Sequence, residues 1–337
     1  MARRIMVKKP GGPEVLQLEN YQADRPKPGE VLVRNLACGV AFADVMGREG
    51  LNPQVKPPFT PGYEIVGHVI ELGAKTSSFK VGDYVAALTS VGGYASEVIV
   101  DEKKLVNVPT AIKPEKAAAL ILNGLTAYQM MRRCCPERIK SIVVFGATGG
   151  VGSILLDLAR HFGITAYGVG NKQKHGIISE KGATALERRD AVKTLLSLAP
   201  TGVDAVFDGI GGQNAKRSFS MLDEGGSLIL FGVQAMMKNG RKDFIAVIRE
   251  LMQMPWWSSL SIMASNKSVC GYMVDKWADR YPDFYRADLE SIFDLAVKGV
   301  IDPRVEVFDL SEAQLAHAFL IDAKHSGKII LTIADQV

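Results

Sequence analysis

The segment that most constrains the fold is a short apolar run that passes through a glycine-rich turn into a helical stretch. The run is Ile142 to Phe145, the turn is Gly146 to Gly152, and helical residues follow to Ala159. Four apolar residues are too few for a helix and are typical of a strand buried on both faces. A strand, a glycine turn and a helix in this order predict a dinucleotide site, because the helix N-terminus presents free N–H groups to a pyrophosphate. The alternative is a strand-to-helix turn with a purely structural role.

From Pro114 onwards, the chain alternates between short apolar runs and helical stretches, both before and after this glycine turn. Further short apolar runs, most of them separated by helical stretches, predict buried strands at Thr165–Val169, Val203–Phe207, Ser227–Phe231 and Ser268–Tyr272. Such alternation predicts an α/β fold with a doubly wound parallel sheet and helices on both of its faces. The first 110 residues are instead rich in short branched runs and turn residues, which predict a separate β-rich domain.

Length, charge and cysteine content narrow the class of protein. A chain of 337 residues is too long for one simple core and suits two domains. The net charge of +4 is spread along the chain, so no concentrated basic face indicates a nucleic-acid partner. The spacing of the four cysteines does not suggest a disulfide framework. The N-terminus is charged and lacks the apolar core of a signal peptide. The sequence has no run of about 18 apolar residues, so no membrane span is predicted. We therefore expect a cytoplasmic protein.

The strand after the glycine turn indicates which dinucleotide is bound. In an NAD site this strand ends in an acidic residue, about 20 residues beyond the turn, that binds the ribose hydroxyls. Here the strand is followed by Gly170-Asn171-Lys172-Gln173-Lys174 without a carboxylate, and Arg188 and Arg189 stand on the next loop. Basic side chains at this place favour the 2′-phosphate of NADPH through charge-assisted hydrogen bonds. The alternative is a solvated charged loop.

Several motifs resemble those of zeta-crystallin-like quinone oxidoreductases, which are zinc-independent medium-chain dehydrogenases/reductases. The matching segments run nearly from end to end and are Ala37–Leu51, Pro61–Gly67, Gly82-Asp83, Asn123–Tyr128 and Gly327–Leu331. The segment Asn266–Tyr272 more closely resembles the synaptic vesicle membrane protein (vesicle amine transport) branch. The resemblance implies a GroES-like β-rich catalytic domain, residues 1–124 and 283–337, and a Rossmann NADPH-binding domain, residues 125–282.

Zinc alcohol dehydrogenases share this plan, so the positions of their catalytic zinc ligands decide whether a metal is expected. In them the metal is held by a Cys, a His and a later Cys, where this chain has Cys38, Tyr63 and Asn123. One thiol is too few for the three-ligand catalytic site. We therefore predict that no metal is bound and that Cys38 is a small buried apolar residue.

The resemblance also implies which residues form the site. Asp44, Tyr63 and Asn123 are the predicted catalytic residues, although a structural hydrogen bond is an equal alternative for each. Thr126 is assigned to the nicotinamide edge. The other predicted cofactor-binding residues are Thr148, Gly149, Gly150, Val151, Gly170, Asn171, Lys174, Arg189, Phe231, Gly232, Val233, Cys270 and Gly271. The apolar segment Phe244 to Met263 is expected either to border the substrate or to serve ordinary packing.

The activity that the resemblance implies is hydride transfer from NADPH to a small conjugated carbonyl compound: an enone, an enoyl group or a quinone. Relatives commonly carry Asn at the position of Ala41 and Tyr at that of Asn52, which puts quinone reduction in particular in doubt. The alternative is an NADPH-binding interaction or vesicle-associated protein with little turnover. The apolar strand at Ser268–Tyr272 also predicts a homodimer, because a bare edge strand tends to pair with another chain.

Overall fold

In a computed structural model the chain forms two compact units. The structure describes residues 1–233, 237–238, 241–242, 252–322 and 325–333. The first unit combines Met1–Leu125 with Val274–Val337, and the second is the segment between them, Thr126–Met273. Within the described ranges, no helix combines the length and the apolar character needed to cross a membrane.

The elements are numbered here in chain order. The strands are β1 (Ala2–Val7), β2 (Leu16–Tyr21), β3 (Glu30–Val40), β4 (Glu64–Leu72), β5 (Tyr84–Leu88), β6 (Glu97–Asp101), β7 (Val106–Asn107), β8 (Ser141–Phe145), β9 (Thr165–Gly170), β10 (Thr184–Glu187), β11 (Val203–Asp208), β12 (Leu222–Leu230), β13 (Met237–Lys238), β14 (Arg241–Lys242), β15 (Ser268–Gly271), β16 (Val305–Asp309) and β17 (Lys328–Thr332). The helices are α1 (Phe42–Arg48), α2 (Pro114–Arg133), α3 (Gly150–His161), α4 (His175–Glu180), α5 (Ala191–Leu198), α6 (Asn214–Ser220), α7 (Ser259–Ser265), α8 (Val274–Arg280), α9 (Pro282–Val297) and α10 (Ala313–Ile321).

The first unit is built around a mostly antiparallel sheet of order β16-β17-β3-β4-β5-β7, with β6 also paired to β3. The long strand β3 is central because its alternating apolar residues are buried, Val31 and Val33 against Ile65 and Val85 among others. The C-terminal strand β17 adds to the same sheet, since Ile329 lies opposite Val40 in an antiparallel ladder with β3. Residues from both ends of the chain therefore share one core.

The second unit is a six-stranded parallel sheet of order β10-β9-β8-β11-β12-β15. Its central strands are apolar on both faces, as expected where helices cover both sides, and Val143, Val144, Val206 and Phe207 are fully buried. From β8 the chain moves outward to β9 and β10, and it then returns to the other side of β8 at β11. The sheet order therefore reverses between β8 and β11, which is where open α/β sheets bind ligands at their carboxyl edge.

The elements differ from the sequence prediction mainly in length and in one packing detail. The strand predicted at Ser227–Phe231 is β12, which begins earlier because its residues also pair with β11 at Val203. In the apolar segment predicted from Phe244 to Met263, residues 244–251 lie outside the described residues. Of its two tryptophans, Trp257 packs 5.5 Å from the ring of Phe219, whereas Trp256 is 93% exposed.

Candidate functional site

The glycine turn predicted to bind phosphate lies at the carboxyl end of β8, beside the reversal of the sheet order. Gly152 allows α3 to start close to the strand, because a Cβ there would lie 2.3 Å from the Gly146 carbonyl oxygen. No side chain caps the helix at Gly149, and Gly149, Gly150 and Val151 are all half-exposed. Thr148 is buried beneath them. The first amides of α3 are thus in position to bind an anion such as a pyrophosphate.

The predicted basic residues follow two neighbouring strands. β9 and β10 are parallel partners in which Gly170 lies opposite Glu187, so the loops that follow them begin side by side. Asn171 and Lys174 stand on the first loop, and Arg189 stands exposed on the second. Burial lowers the pKa of Lys174, which is half-buried. The loops that carry these basic residues therefore begin on neighbouring strands of the sheet.

A buried aspartate that the sequence analysis missed organises the next part of this edge. Asp208 ends β11 with 0% exposure, and its carboxylate accepts hydrogen bonds from the Ile210 and Gly211 amides, Asn214 Nδ2 and Ser218 Oγ at 2.7–3.1 Å. Its carbonyl oxygen also accepts a bond from the Phe231 amide. Asp208 therefore fixes the loop after its own strand and the start of the segment Phe231, Gly232 and Val233. An aspartate at the end of a buried strand, followed by glycines, was the available signal.

Gly232 in that segment needs its lack of a side chain. A Cβ at this position would lie 2.2 Å from the Gly209 carbonyl oxygen, so the ends of β11 and β12 can approach each other only with glycine here. Phe231, Gly232 and Val233 are all half-buried. The segment is therefore both closely held and accessible at the carboxyl edge.

The last strand, β15, places Cys270 and Gly271 at the same edge of the sheet. Arg133, near the end of α2, lies with Nη1 3.3 Å from Cys270 Sγ and 3.2 Å from the Gly271 carbonyl oxygen. Its guanidinium also lies 5.3 Å from the centre of the Tyr272 ring. The end of β15 is thus held by a cation that the sequence analysis did not connect with it.

In the first unit, the carboxylate of Asp44 is fully engaged in hydrogen bonds. Oδ2 accepts from the Ala41 amide at 2.8 Å and from the Tyr94 hydroxyl at 3.3 Å, and Oδ1 accepts from the Gly62 amide at 2.9 Å. Burial raises the pKa of Asp44 to about 7, against the lowering effect of the two amides and of Lys328. Asp44 therefore ties the start of α1 to the turn that precedes Tyr63.

Tyr63 follows that turn, and its side chain is 7% exposed. Its carbonyl oxygen accepts bonds from the Thr89 and Ser90 amides at 2.7 and 3.2 Å, which fix the backbone. Burial, followed by the negative charges of Asp275 and Asp44, raises the pKa of Tyr63 above its usual value. The sequence analysis had no reason to expect the charge of Asp275 near Tyr63.

Asn123 and Thr126 lie on α2, and both are buried, with exposures of 8% and 7%. The amide of the preceding residue, Leu122, donates to Glu64 Oε2 at 3.1 Å. Glu64 immediately follows Tyr63, so β4 is fastened to α2 beside Asn123. The chain neighbours of Tyr63 and Asn123, Glu64 and Leu122, are thus bonded to each other.

A buried histidine lies beside Tyr94. His317 on α10 is fully buried, and its Nε2 lies 3.0 Å from the Tyr94 hydroxyl oxygen. The Tyr94 hydroxyl therefore lies between the Asp44 carboxyl group and the His317 imidazole, and the tautomer of His317 sets which of Tyr94 and His317 donates. Burial, assisted by the charge of Arg48, lowers the pKa of His317 to about 3. His317 is therefore a neutral support for Asp44.

The residues at the zinc positions do not fit a catalytic zinc ion. Cys38 is fully buried, as predicted, and burial raises the pKa of its thiol well above the usual value. A phenol and a carboxamide, from Tyr63 and Asn123, are not the imidazole and thiolate that zinc prefers. In the part of the chain that the structure describes, no cluster of three His, Cys, Asp or Glu side chains could hold a metal.

Segments of both units match known protein families. Residues 27–110 match the family described as Alcohol dehydrogenase GroES-like domain, and residues 182–331 match the family Zinc-binding dehydrogenase. A quinone oxidoreductase of Pseudomonas aeruginosa is 31% identical over 98% of this chain and 99% of its own length. The chain belongs to the zeta-crystallin-like branch of the medium-chain dehydrogenase/reductase family. The resemblance that the sequence motifs indicated is thereby confirmed.

Two further relatives support this family assignment. The Synaptic vesicle membrane protein VAT-1 homolog of Danio rerio is 32% identical over 91% of this chain, which spans 64% of that protein. The crystal structure of Escherichia coli quinone oxidoreductase complexed with NADPH has a TM-score of 0.86 at 27% identity, with coverage of 98% of this chain and 99% of that one. The predicted fold class, a GroES-like β-rich part and a Rossmann-like parallel sheet, is therefore also confirmed.

Proposed function

We propose that this protein is a zinc-independent, NADPH-dependent reductase that transfers hydride to a conjugated carbonyl compound. The observation that carries the proposal is the carboxyl edge of the parallel sheet. There the N-terminus of α3 lies at the end of β8, and basic loops follow the neighbouring strands β9 and β10. A helix end that binds anions, together with cationic loops, suits a dinucleotide with an additional phosphate. The Escherichia coli relative crystallised with NADPH supports the choice of a nicotinamide cofactor.

On the cofactor side, groups of the protein bind and orient NADPH. The amides of Gly149, Gly150 and Val151 bind the pyrophosphate, and Lys174 and Arg189 bind the 2′-phosphate. Asn171 and Gly170 accommodate the ribose that carries this phosphate. Thr126, the segment after β12 and the end of β15 hold the nicotinamide, which supplies the hydride when the cofactor is bound.

On the substrate side, Tyr63 and Asn123 supply polar groups where zinc-dependent relatives hold a metal. Hydride addition to a conjugated carbonyl leaves negative charge on the carbonyl oxygen, and a hydrogen-bond donor must stabilise it. The Asn123 carboxamide can donate to that oxygen. Asp44 acts on the substrate only indirectly, since its carboxylate oxygens already accept three hydrogen bonds. It holds the turn that carries Tyr63.

The direct test is a set of acceptors monitored by the loss of nicotinamide absorbance at 340 nm. Quinones, enones and enoyl thioesters are each mixed with the purified protein and NADPH, and then with NADH. We expect steady oxidation of NADPH with at least one enone or enoyl compound. Tight NADPH binding without oxidation by any acceptor would instead support an NADPH-binding interaction protein, a role that the vesicle-protein names of relatives suggest.

We further propose that the protein is a homodimer in which β15 pairs with its copy. β15 is the edge strand of the six-stranded sheet. In a parallel ladder alternate residues face outward, and the bond from the Tyr272 amide to Leu230 leaves Val269 and Gly271 on the open side. Arg133 covers the Gly271 carbonyl, so Val269 is the residue available for pairing.

Exposed apolar side chains close to β15 in the sequence support this interface. Met252, Trp256, Leu260 and Met263 have exposed fractions of 78%, 93%, 68% and 73%. Apolar groups so exposed are commonly covered by a partner. Light scattering should give twice the chain mass of 36.5 kDa, and Val269→Pro or Trp256→Glu should lower it. A monomer at micromolar concentration that still binds NADPH would exclude the dimer.

A further inference from the structure

The fold brings a carboxylate to the part of the sheet where the sequence analysis found none. An NAD site has its acidic residue at the end of the strand after the glycine turn, and β9 here ends at Gly170 without one. The last residue of the neighbouring strand β10 is Glu187, which lies opposite Gly170 in a parallel ladder. Neighbouring strands are about 4.8 Å apart, so Glu187 takes the next place along the same edge.

The side chain of Glu187 is directed towards the loop that follows β9. Its Oε2 lies 3.7 Å from Nε2 of His175. His175 is the first residue of α4 and directly follows Lys174, which we assign to the 2′-phosphate of NADPH. The Glu187 side chain is 40% exposed, so a ligand at this edge has access to it. The carboxylate therefore faces the same loop as the proposed phosphate site.

The contact between Glu187 and His175 has little value for stability. Oε2 and Nε2 are both shielded from solvent, but neither has a hydrogen-bond partner in the described part of the chain, since 3.7 Å is beyond hydrogen-bonding distance. Shielded polar atoms that make no hydrogen bond destabilise a fold. Attraction between two partly exposed side chains contributes little in return. The position of this carboxylate therefore needs a reason other than folding.

The charge of Glu187 distinguishes the two nicotinamide cofactors. A phosphate monoester carries a charge of about −1.5 to −2 near pH 7, so a nearby carboxylate repels it. NADH has a neutral hydroxyl in the same place, and a carboxylate can accept a hydrogen bond from that group. Lys174 and Arg189 attract the phosphate, whereas Glu187 opposes it. Specificity commonly combines attractive and repulsive groups in this way.

We propose that Glu187 is a specificity-determining residue whose carboxylate weakens the binding of NADPH relative to NADH, so that the protein discriminates less between the two cofactors than its basic loops alone would. His175 holds this carboxylate in place by contact. The inference rests on the proposed function, because it needs the adenosine end of the cofactor to bind at this edge of the sheet.

The test measures binding and does not depend on turnover. Glu187→Gln removes the charge and keeps the shape of the side chain. The Kd of NADPH should fall by about three- to fivefold, the size of an interaction between partly exposed charges, while the Kd of NADH should not fall. Fluorescence titration measures both constants. Isothermal titration calorimetry with 2′,5′-ADP and 5′-AMP, which carry the adenosine end with and without the 2′-phosphate, should show the same difference.

Ionic strength separates an electrostatic role from a structural one. At about 1 M salt the Debye length is about 3 Å, so the gain in NADPH affinity should shrink to near one, whereas the effect of an altered structure would remain. Glu224→Gln is the matched control, since it removes an exposed carboxylate near the start of β12, at the opposite edge of the sheet. It should change neither Kd. His175→Asn removes the contact but leaves the Glu187 charge, and it should not lower the Kd of NADPH.

The outcomes separate the inference from the function on which it rests. In Glu187→Gln, an unchanged or higher Kd of NADPH, or an equal fall for both cofactors, would overturn the inference. An equal gain in His175→Asn would also overturn it, because the contact and not the charge would then be responsible. Failure of the wild type to bind either NADPH or 2′,5′-ADP would reject the proposed cofactor site itself. NADPH binding without oxidation by any acceptor would reject the reductase, while the binding data would still decide the role of Glu187.

Discussion

Glu64 and Lys328 form a buried ion pair in which Oε1 and Nζ lie 2.7 Å apart, with side-chain exposures of 0% and 5%. β17 brings Lys328 to this place by pairing with β3. The pair fits because residue 39 is glycine: a Cβ there would lie 1.8 Å from Glu64 Oε1 and 2.3 Å from Lys328 Cε. Burial raises the pKa of Glu64, and Lys328 opposes that rise.

Removing only one partner of this pair should be more harmful than removing both charges. Lys328→Met leaves a buried carboxylate without its cation, and we expect a loss of about 3–5 kcal/mol in the free energy of unfolding. Glu64→Gln/Lys328→Met should recover a large part of that loss. Denaturant unfolding of the wild type, both single variants and the double variant measures the coupling. Additive losses would show that the two side chains do not interact.

Asp44 should make folding depend on pH near neutrality. Its pKa is raised from 3.8 to about 7 in the folded protein, so the folded state holds more protons than the unfolded state between these values. This contribution to the free energy of unfolding is therefore present below pH 4 and is lost as the pH rises towards 7, by about 1.4 kcal/mol per pH unit.

The variant that isolates this effect is Asp44→Asn, compared with the wild type at each pH. The comparison is needed because His317, whose pKa is lowered from 6.5 to about 3, acts in the opposite direction between those values. From pH 4 to pH 7 the free energy of unfolding of the wild type should fall relative to that of the variant, until the variant is the more stable protein. The substitution also removes an acceptor for one backbone amide, so a constant loss of about 1–3 kcal/mol should accompany it. A difference that is the same at every pH would contradict the raised pKa.

Lys174 should distinguish the two nicotinamide cofactors. Lys174→Ala removes a charge-assisted hydrogen bond of about 1.5–3 kcal/mol, which corresponds to a rise of about 10- to 100-fold in the Kd of NADPH. The Kd of NADH should change little, because NADH lacks the 2′-phosphate. Fluorescence titration measures both constants, and Lys193→Ala, which alters a lysine on α5, is the matched control. An equal loss for both cofactors would remove the basic loop from the NADPH site.

Asp208 should be needed both for folding and for the carboxyl edge of the sheet. Asp208→Ala leaves four donors without their acceptor, and we expect a destabilisation of about 3 kcal/mol or more. The remaining folded protein should bind NADPH more weakly, since the Asp208 side chain fixes the Ile210 and Gly211 amides at the carboxyl edge of the sheet. Thermal unfolding and cofactor titration measure these effects. Asp223→Ala, which removes a surface aspartate bonded to Thr201, should change neither measurement appreciably.

The donor set at Cys38, Tyr63 and Asn123 predicts a protein without stoichiometric zinc. Elemental analysis of the purified protein should find well below one zinc per chain, and activity should be unchanged by a chelator. One tightly bound zinc per chain would overturn the assignment of Tyr63 and Asn123 to the substrate.

The sequence was sufficient for features that depend on neighbouring residues. The strand, glycine turn and helix from Ile142 to Ala159 were recognisable because consecutive residues determine both the burial of the strand and the start of α3. The basic loop from Asn171 to Lys174 was also visible, since it follows directly from the strand before it. The burial of Cys38 was predicted from the tendency of free cysteines to be buried.

The pairings between side chains were decided only by the tertiary structure. Glu64 meets Lys328, and the charge of Asp275 acts on Tyr63, because the C-terminal part of the chain returns to the first unit. No local pattern specifies such a partner, since contact and burial depend on how distant strands and helices pack. The properties of Asp44 also depend on the tertiary structure, although the sequence motif had identified the residue. Its raised pKa comes from full burial, which only the completed fold produces.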